Sequence, residues 1–366
     1  MNIMAVICEY NPFHKGHEYQ LKTHREKYSA DGVICLMSGS FVQRGAPAVK
    51  NKWERAKDAI LNGADLVLEL PVVYSSQSAK RFSFGAVSLL DALGCVDFLS
   101  FGSESGDLDE IKKCAKIVFS DEFEAKVKEE MKTGISYPAA RSKVLEKHFP
   151  TLQKDLLSSP NNILALEYVN ALSVLNSKIT PVTLKRNFEF ESASKIREKM
   201  KDSEFEYSKD ALDQMVSYHM RRETAESLAK IADVAEGLGN RFVKFSKTTY
   251  GADELSEAVK TKRYTKTRID RIIINSLLGI TDSDTELSPQ YAKVLAFNDK
   301  GTQIIKEIRK KSKIPVITKV ADAAKTNDDA FSRMLEKDIL ATDIYALLTK
   351  EKKLGLDFTT SPIYVK

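Results

Sequence analysis

The sequence lacks the features of several large protein classes. Its four cysteines, Cys8, Cys35, Cys95 and Cys114, are scattered without a CxxC pair. This pattern argues against a disulfide scaffold or a zinc module and favours a reducing, cytoplasmic compartment. No run of about 18 apolar residues is present, so we expect neither a transmembrane helix nor a membrane partner. Residues 1–10 carry no basic segment and indicate a strand, so we expect no signal peptide.

Two common nucleotide-binding motifs are also missing. The chain has no Walker A motif and no GxGxxG fingerprint after its first strand-like segment, which argues against P-loop NTPases and classical dinucleotide enzymes. Its 56 basic and 51 acidic residues give a net charge of only +5. Because this excess is small, global charge does not indicate a nucleic-acid partner, and we expect no binding to DNA.

Strand-like and helix-like segments alternate through the first half of the chain. The strand-like runs are Ile3–Cys8, 32–37, Leu66–Leu70 and 98–101, and helical patterns occupy 18–28, 52–62 and 78–93. Such alternation predicts an α/β, Rossmann-like fold with a parallel sheet, in which ligands bind beyond the carboxyl ends of the strands. The run 179–184 predicts a further strand, at the sheet edge because Pro181 cannot donate a ladder hydrogen bond.

The texture changes after about residue 192. Helical patterns separated by short polar turns follow, at 211–225, 227–238, 268–278 and 331–349. We therefore predict an α/β domain over 1–203, with a charged helical insertion at 107–147, and a mostly α-helical, basic domain over 204–366.

The segment 11–18, Asn-Pro-Phe-His-Lys-Gly-His-Glu, is the most informative part of the chain. It places His14 and His17 between the first predicted strand and the first predicted helix, where a helix N-terminus binds anions. Two imidazoles there can stabilise a nucleotide α-phosphate as it becomes five-coordinate, and Gly16 permits close approach of the backbone. The alternatives are two surface histidines or a zinc pair, although no third ligand has suitable spacing.

A later segment, 191–197, reads Glu-Ser-Ala-Ser-Lys-Ile-Arg. Its serines can cap a following helix, and Ser194, Lys195 and Arg197 can together hold a triphosphate tail. The alternative is an ordinary helix cap with solvated charges.

Two glycine-bounded loops follow predicted strands. The loop 38–45 can seat a small anion or the nucleotide through Ser38, Gly39, Gln43 and Arg44, and Arg44 can clamp a carboxylate. It can equally be a plain βα turn. The loop 102–106 is similar but less distinctive.

Basic residues cluster twice in the second half. The first cluster has six basic residues, with Tyr264 and one acidic residue among them. The basic residues are Lys260, Lys262, Arg263, Lys266, Arg268 and Arg271. The second consists of Lys306, Arg309, Lys310, Lys311, Lys313 and Lys319. Basic patches with an interleaved aromatic suit an RNA backbone and an unstacked base, whereas single charge runs are commonly solvated helix faces.

These motifs resemble those of known enzymes. The HxGH segment with a late Ser-Lys-Ile-Arg resembles the HIGH-type nucleotidyltransferase superfamily, although Ala193 departs from its usual Ser-Ser/Thr-x-Ile-Arg form. Nearly the whole chain is similar to the bacterial tRNA(Met) cytidine acetate ligase family. The segments that carry this resemblance are EYNPFHKGH (9–17), MSGSFVQRG (37–45), ELP (69–71), FGSE (101–104), SYPAAR (136–141), PNNIL (160–164), KTKRYT (260–265) and ATDIY (341–345).

The resemblance implies a two-step ligase. Acetate and ATP give acetyl-adenylate and pyrophosphate, and the acetyl group then passes to the wobble cytidine of elongator tRNA(Met), giving N4-acetylcytidine. ATP is a substrate, and we expect Mg²⁺ to accompany it. No residue is assigned as a metal ligand, although Asp65 and Glu69 flank a strand and can serve either as Mg²⁺ ligands or as structural charges.

For this reaction we predict that His14 and His17 are catalytic and that Lys195 and Arg197 hold pyrophosphate. The resemblance also implies ATP contacts. They are Val6, Ile7, Cys8, Glu9, Tyr10, Asn11, Pro12, Phe13, Lys15, Gly16, Glu18, Tyr19, Gly102, Arg186 or its neighbour, and one of Asn161 and Asn162.

Two other functions compete with this reading. One is a small-molecule adenylyltransferase or cytidylyltransferase, whose acceptor does not require a basic helical domain. The other is a non-catalytic RNA-binding protein that retains a nucleotide-binding fold.

Overall fold

A computed structural model describes residues 1–149, 156–157, 159–187, 189–235 and 237–366. Its strands are β1 (Ile3–Cys8), β2 (Gly32–Ser38), β3 (Phe41–Val42), β4 (Ala46–Pro47), β5 (Leu66–Leu70), β6 (Phe98–Ser103), β7 (Thr180–Lys185), β8 (Ala292–Phe297), β9 (Val316–Ile317) and β10 (Ile363–Tyr364). The predicted α/β class is confirmed.

Helices connect and cover the strands. They are α1 (Lys15–Lys27), α2 (Lys52–Leu61), α3 (Val72–Ser75), α4 (Ala79–Ala92), α5 (Leu108–Val118), α6 (Asp121–Met131), α7 (Tyr137–His148), α8 (Pro160–Val174), α9 (Ala193–Lys199), α10 (Lys209–Arg222), α11 (Ala225–Leu228), α12 (Leu238–Ser246), α13 (Gly251–Val259), α14 (Lys266–Leu277), α15 (Asp282–Thr285), α16 (Asp299–Lys311), α17 (Val320–Ala323), α18 (Asp329–Leu348) and α19 (Leu356–Thr359), with a 3₁₀ turn at Asp202–Glu204. The predicted helical insertion at 107–147 corresponds to α5, α6 and α7.

The main sheet has the strand order β10-β8-β5-β2-β1-β6-β7, and β9 pairs with β8. The five strands from β5 to β7 in this order are parallel, so their carboxyl ends meet at one edge. This edge carries the loops that follow β1, β2 and β6, as the alternating sequence pattern predicts. The predicted edge position of Pro181 is confirmed, because β7 ends the sheet and Pro181 pairs with Leu99.

Alternate residues of each central strand enter opposite cores, as the two-residue period of a strand requires. On one face, Val6 and Cys35 pack with Trp53 of α2. On the other face, Ala5 and Leu36 pack with residues of α4 and α16. Burial on both faces explains why β1 and β2 are continuous apolar runs.

The second half of the chain contributes three strands to this sheet that its helical texture did not predict. β8 pairs antiparallel with β5, and β10 and β9 pair with β8. β8, with the sequence Ala-Lys-Val-Leu-Ala-Phe, is too short and too apolar for its period to separate strand from helix. The division of the chain at 203 therefore stays a prediction, while the sheet itself draws on both halves.

The predicted helix over 227–238 is wrong. α11 ends at Leu228, and α12 begins at Leu238. The described part of the intervening segment contains Asp233 at φ 72° and Gly237 at φ 82°, and a left-handed backbone interrupts an α-helix. Ile231 instead forms an isolated bridge with Thr281.

A buried ionic cluster joins the two halves of the chain. Lys52 Nζ lies 2.9 Å from a Glu69 carboxylate oxygen and 2.8 Å from one of Asp357. Lys293 Nζ contacts the same two acids at 2.8 and 2.7 Å. Two ammonium groups thus neutralise two carboxylates in the interior, which makes loss of any one member costly because it leaves an uncompensated buried charge.

Candidate active site

The HxGH segment forms a reciprocal cap at the start of α1. The backbone N–H of Gly16 donates to His14 Nδ1 at 3.1 Å, and the N–H of His14 donates to His17 Nδ1 at 3.3 Å. The two rings stack, with centroids 3.7 Å apart and an interplanar angle of 24°. Paired capping bonds of this kind satisfy helix N-terminal donors. The two histidines are therefore fixed side by side at a helix N-terminus.

These contacts set the protonation state of both imidazoles. A backbone N–H can only donate, so Nδ1 of each ring is an acceptor and the neutral ring carries its hydrogen on Nε2. Burial, followed by the charge of Arg186, lowers the pKa of His14 to about 4. Burial, followed by the charge of His14, lowers the pKa of His17 well below its ordinary value. At neutral pH both rings are uncharged and offer an Nε2–H donor.

The loop before α1 is held by contacts from distant segments. Glu9 Oε1 accepts a 2.7 Å hydrogen bond from the backbone N–H of Gln43, and Asn11 Oδ1 accepts one of 2.7 Å from Val49 N. Tyr10 takes a left-handed conformation with φ 46°. The ring of Tyr10 lies 4.8 Å from the ring of His17. The loop is thereby fixed against the loops that follow β2.

The remaining residues predicted around this loop differ in exposure. Val6 is buried in the sheet, so its side chain belongs to the core. Phe13 packs against the ring of His17 at 5.5 Å. Tyr19 is 39% exposed and lies 5.6 Å from Phe190. The others lie at the end of β1, in the turn that follows it or on the first turns of α1, and they are Ile7, Cys8, Pro12, Lys15 and Glu18.

The late basic segment meets the HxGH loop. Ser192 caps α9 by accepting a hydrogen bond from Lys195 N at 3.3 Å. Arg197 Nη1 donates to the carbonyl of Asn11 at 2.5 Å, and its Nη2 donates to Ser194 Oγ at 3.1 Å. The side chain of Lys195 is exposed. The fold thus brings Arg197 to the loop that carries both histidines.

Residues around Gly102 form a second wall at the carboxyl ends of the strands. A Cβ added to Gly102 would meet only Leu184 O, at 4.0 Å, so open space lies beside this backbone. Glu104 accepts from Asn161 Nδ2 at 3.0 Å and from Asn162 N at 2.9 Å, and it lies 3.7 Å from Arg186 Nη1.

The two asparagines have different environments. Asn162 is 1% exposed, and its Oδ1 accepts from the backbone N–H groups of Glu104 and Ser105. Asn161 is only partly buried. Asn162 therefore holds the 102–106 loop, and Asn161 is the more accessible of the pair.

The loop after β2 is more tightly held than a plain turn. A Cβ on Gly39 would approach Glu69 Oε1 to 2.3 Å, and Gln43 Nε2 donates to Gln77 O at 2.9 Å. Ser38 is buried, whereas Arg44 is exposed. Arg44 is the charged member of the four predicted residues, and its exposed guanidinium can contact a ligand.

Arg55 is a central residue that sequence reasoning missed. Its guanidinium is completely buried on α2 and donates to Glu9 O at 2.6 Å, Ser38 O at 3.1 Å and Lys50 O at 3.0 Å, with a further bond to Gly39 O. It therefore ties the ends of β1 and β2 together. A basic residue on the buried face of an otherwise amphipathic helix was the available signal.

Asp65 and Glu69 have structural partners. Asp65 accepts from Val33 N at 2.9 Å and lies 3.0 Å from Arg25 Nη2, and Glu69 belongs to the buried ionic cluster. Within the described ranges, no group of three or more His, Cys, Asp or Glu side chains is placed to hold a metal ion. Both acids therefore fit the structural reading.

The first basic cluster divides into paired and unpaired members. Lys266 lies 3.1 Å from Asp253 and 3.2 Å from Asp270. Arg268 and Arg271 both approach Asp233. Tyr264 is 9% exposed, and Lys260 pairs with Glu257. Lys262 and Arg263 are exposed and form no salt bridge within the described residues.

The first basic cluster adjoins the loop that follows β2, since a Cβ on Gly45 would lie 2.4 Å from the backbone of Arg271. In the second cluster, Lys306, Arg309, Lys310 and Lys311 lie on α16, and Lys313 and Lys319 flank β9. The first cluster is therefore next to a loop at the carboxyl edge of the sheet.

No helix among the described residues is long and apolar enough to cross a membrane.

Comparison with known proteins agrees with this architecture. The family model described as HIGH Nucleotidyl Transferase matches residues 1–212 and 189–357. A tRNA(Met) cytidine acetate ligase of Acetivibrio thermocellus is 39% identical, over 99% of this chain and 100% of that protein. One from Clostridium novyi is 40% identical, over 100% of both chains.

Two solved structures also resemble the chain over its full length. Thermotoga maritima TmcAL bound with alpha-thio ATP is 32% identical and superimposes with a TM-score of 0.92, with complete coverage of both chains. The apo form gives a TM-score of 0.90 at the same identity and coverage. The chain thus belongs to the HIGH nucleotidyl transferase family and, within it, to the tRNA(Met) cytidine acetate ligases.

Proposed function

We propose that this protein is an ATP-dependent ligase that activates acetate as acetyl-adenylate. It then transfers the acetyl group to the wobble cytidine of elongator tRNA(Met), giving N4-acetylcytidine. The observation that carries this proposal is the capped pair of His14 and His17 at the strand edge, with Arg197 bonded to the same loop. The family membership and the ATP-analogue complex of a relative support it.

The first step is attack of an acetate oxygen on the α-phosphate of ATP, with pyrophosphate leaving. Negative charge builds on the equatorial oxygens as phosphorus becomes five-coordinate. His14 and His17 donate Nε2–H hydrogen bonds to these oxygens, and their fixed orientation requires no reorganisation during the reaction. Because both rings are neutral, they act as donors and not as acids that lose a proton.

The nucleotide lies along the carboxyl edge of the sheet. Its triphosphate meets the N-terminus of α1, where Gly16 brings the backbone close. Lys195 and Arg197 hold the leaving pyrophosphate. Gly102 leaves room for the nucleoside on the other side of β1, bordered by Asn161 and Arg186.

Acetate binds through its carboxylate to the exposed guanidinium of Arg44, beside the histidine loop. This position suits a small anion, because the negative charge of the neighbouring Glu9 carboxylate is partly offset by the hydrogen bond it accepts from the backbone N–H of Gln43. Asp65 and Glu69 are engaged in the fold, so Mg²⁺ would be brought to the site with ATP and not by these two acids. When bound, it neutralises charge on the pyrophosphate.

The acceptor is an unpaired anticodon base. The cytosine amine is a weak nucleophile because its lone pair is delocalised into the ring, and a mixed anhydride is a sufficiently reactive acyl donor. An anticodon base is unstacked and can be presented to the site. Lys262 and Arg263, exposed at the same edge, contact the tRNA backbone.

Pyrophosphate–ATP exchange tests the first step. We expect exchange that requires acetate and disappears in the His17→Ala variant. Exchange that is indifferent to acetate would instead indicate a small-molecule adenylyltransferase, and no exchange at all would indicate a non-catalytic RNA-binding protein. Lys22→Ala, on the exposed side of α1, is the matched control and should retain normal exchange.

A further inference from the structure

The transfer step releases a proton that some group must accept. As N4 of cytidine bonds to the acetyl carbon, the bond from that carbon to the AMP phosphate oxygen breaks, and AMP leaves with the electron pair. The attacking amine must lose one proton to give a neutral amide. A base beside the bound adenylate can take it during the attack, which typically accelerates such a step about 10²- to 10⁴-fold.

Most candidate bases at the strand edge are already committed. The Nδ1 atoms of His14 and His17 accept backbone N–H groups, and their Nε2 atoms carry hydrogen. Burial raises the pKa values of Tyr10 and Cys8 well above their ordinary values, so both remain protonated. Neither the imidazoles nor these two groups can therefore accept the proton at neutral pH.

The neighbouring carboxylates are also occupied. Glu104 accepts from Asn161 and from the backbone of Asn162 through its two oxygens. Glu69 is bonded by Lys52 and Lys293. Using either as a base would require breaking contacts that hold the site together.

Glu9 differs from both. It directly follows β1, and its Oε1 accepts from Gln43 N at 2.7 Å. Its Oε2 has no hydrogen-bond partner among the described residues. This oxygen is also absent from the described side-chain atoms that are both fully buried and without a partner. Its carbonyl is held by Arg55 at 2.6 Å. The carboxylate is thus fixed by one oxygen and by its backbone, with the other oxygen open, five residues before the histidine cap.

We propose that Glu9 is the general base of acetyl transfer. Its Oε2 accepts the N4 proton as the amine attacks the acetyl carbon, and the resulting carboxylic acid returns this proton to solvent after the products leave. The assignment rests on the proposed function, because it concerns the second half of that reaction. The role as a base concerns the transfer step alone, because acetate activation removes no proton from an amine.

The electrostatic surroundings are consistent with this role. Burial raises the pKa of Glu9, which makes its carboxylate a stronger base than an exposed one. The Gln43 hydrogen bond and the charges of Arg197, Arg55 and Arg44 act in the opposite direction without cancelling the rise. Tyr168, on α8, also faces this carboxylate and remains protonated because burial raises its pKa.

The two half-reactions separate this role from a structural one. The Glu9→Gln variant retains an oxygen that can accept from Gln43 but removes the basic oxygen. We expect its single-turnover transfer to tRNA to fall about 100-fold or more, a decrease at least about tenfold larger than any decrease in its acetate-dependent pyrophosphate–ATP exchange. Glu9→Asp should restore part of the transfer. Glu26→Gln, an exposed acid on α1, is the control and should leave both steps unchanged.

The pH dependence of the transfer rate distinguishes a general base from a purely structural residue, because a structural residue would not change this dependence. The wild-type transfer rate should rise with pH to a plateau as the carboxylate of Glu9 forms, and the Glu9→Gln rate should be flat. His14 loses its proton at lower pH, because its pKa is about 4 whereas burial raises the pKa of Glu9 above its ordinary value.

Each contrary result has a distinct meaning. A transfer rate of Glu9→Gln within about tenfold of the wild type would overturn the assignment. The AMP phosphate or water would then be the proton acceptor. Equal loss of exchange and transfer would make Glu9 a binding or folding residue, which also overturns it. A wild-type protein without acetate-dependent exchange would instead contradict the proposed function, independently of Glu9.

Discussion

Arg197 Nη1 donates a hydrogen bond to the carbonyl oxygen of Asn11 at 2.5 Å, across 186 residues of sequence. This bond joins the late basic segment to the loop that carries His14 and His17. The same guanidinium bonds Ser194 at 3.1 Å, so it spans the two motifs with separate nitrogens. A lysine has a single nitrogen and cannot reproduce this fork.

Replacing this arginine should affect acetate activation strongly. We expect Arg197→Lys to lower the rate of pyrophosphate–ATP exchange about 10- to 100-fold, because the histidine loop loses a positioning contact at the reacting centre. Lys199→Gln is a matched control two residues away, since Lys199 is exposed and pairs only with Glu191 in the described chain. Equal effects of both substitutions would contradict a specific role for Arg197.

The lowered pKa of His14 predicts a pH dependence of stability. The unfolded ring binds a proton near pH 6.5, whereas the folded ring binds one only near pH 4. The stabilising contribution is therefore complete above pH 6.5 and is lost as pH falls toward 4. Because the ring is partly exposed, we expect this loss to be about 1–2 kcal/mol.

Urea unfolding at pH 7 and pH 5 measures this effect. The His14→Asn variant keeps an acceptor for the helix cap but has no titrating ring. Its free energy of unfolding should fall less between the two pH values than that of the wild type. Identical decreases would show that His14 is not buried in its neutral form.

Gly102 offers a test of the nucleotide position. A Cβ at this residue meets open space in the free protein, with only Leu184 O at 4.0 Å. We expect Gly102→Ala to leave the free energy of unfolding within about 1 kcal/mol of the wild type. The added methyl should weaken ATP binding about tenfold, because the ligand needs this space. Unchanged ATP affinity, measured by calorimetry, would place the nucleotide elsewhere.

Lys262 and Arg263, the basic side chains of the first cluster without a salt bridge among the described residues, should govern tRNA affinity. Charge reversal of Lys262 and Arg263 should weaken tRNA binding and reduce the slope of log affinity against log salt by about 1.5. Acetate-dependent exchange should be unchanged. Reversal of Lys306 and Arg309, exposed on α16, makes the same change in charge and should leave tRNA binding intact. Equal weakening by both pairs would contradict the proposed surface.

The sequence predicts the sheet well where physical constraints are local. β1 and β5 begin and end at the predicted residues, because each is a continuous apolar run between polar turns. β8 was not predicted from the sequence, because its position beside β5 depends on contacts between segments more than 220 residues apart. No local pattern records such a partner.

The candidate site was predictable in its motifs but not in its internal contacts. The spacing of His14, Gly16 and His17 indicates an anion site, and the structure adds that each Nδ1 is an acceptor. Arg55 was missed, because its one sequence signal, a basic residue on the apolar face of α2, does not show that it binds the carbonyl groups of Glu9 and Ser38. Arg271 was predicted to contact tRNA, but its side chain is only 11% exposed and approaches Asp233.

Nucleoside mass spectrometry of elongator tRNA(Met) tests the central claim most directly. Cells that lack this protein are complemented with the wild type or with the His14→Ala, His17→Ala double variant. The account predicts that N4-acetylcytidine at the wobble position disappears without the protein, returns with the wild type and stays absent with the variant. An unchanged level of N4-acetylcytidine in cells without the protein would contradict it.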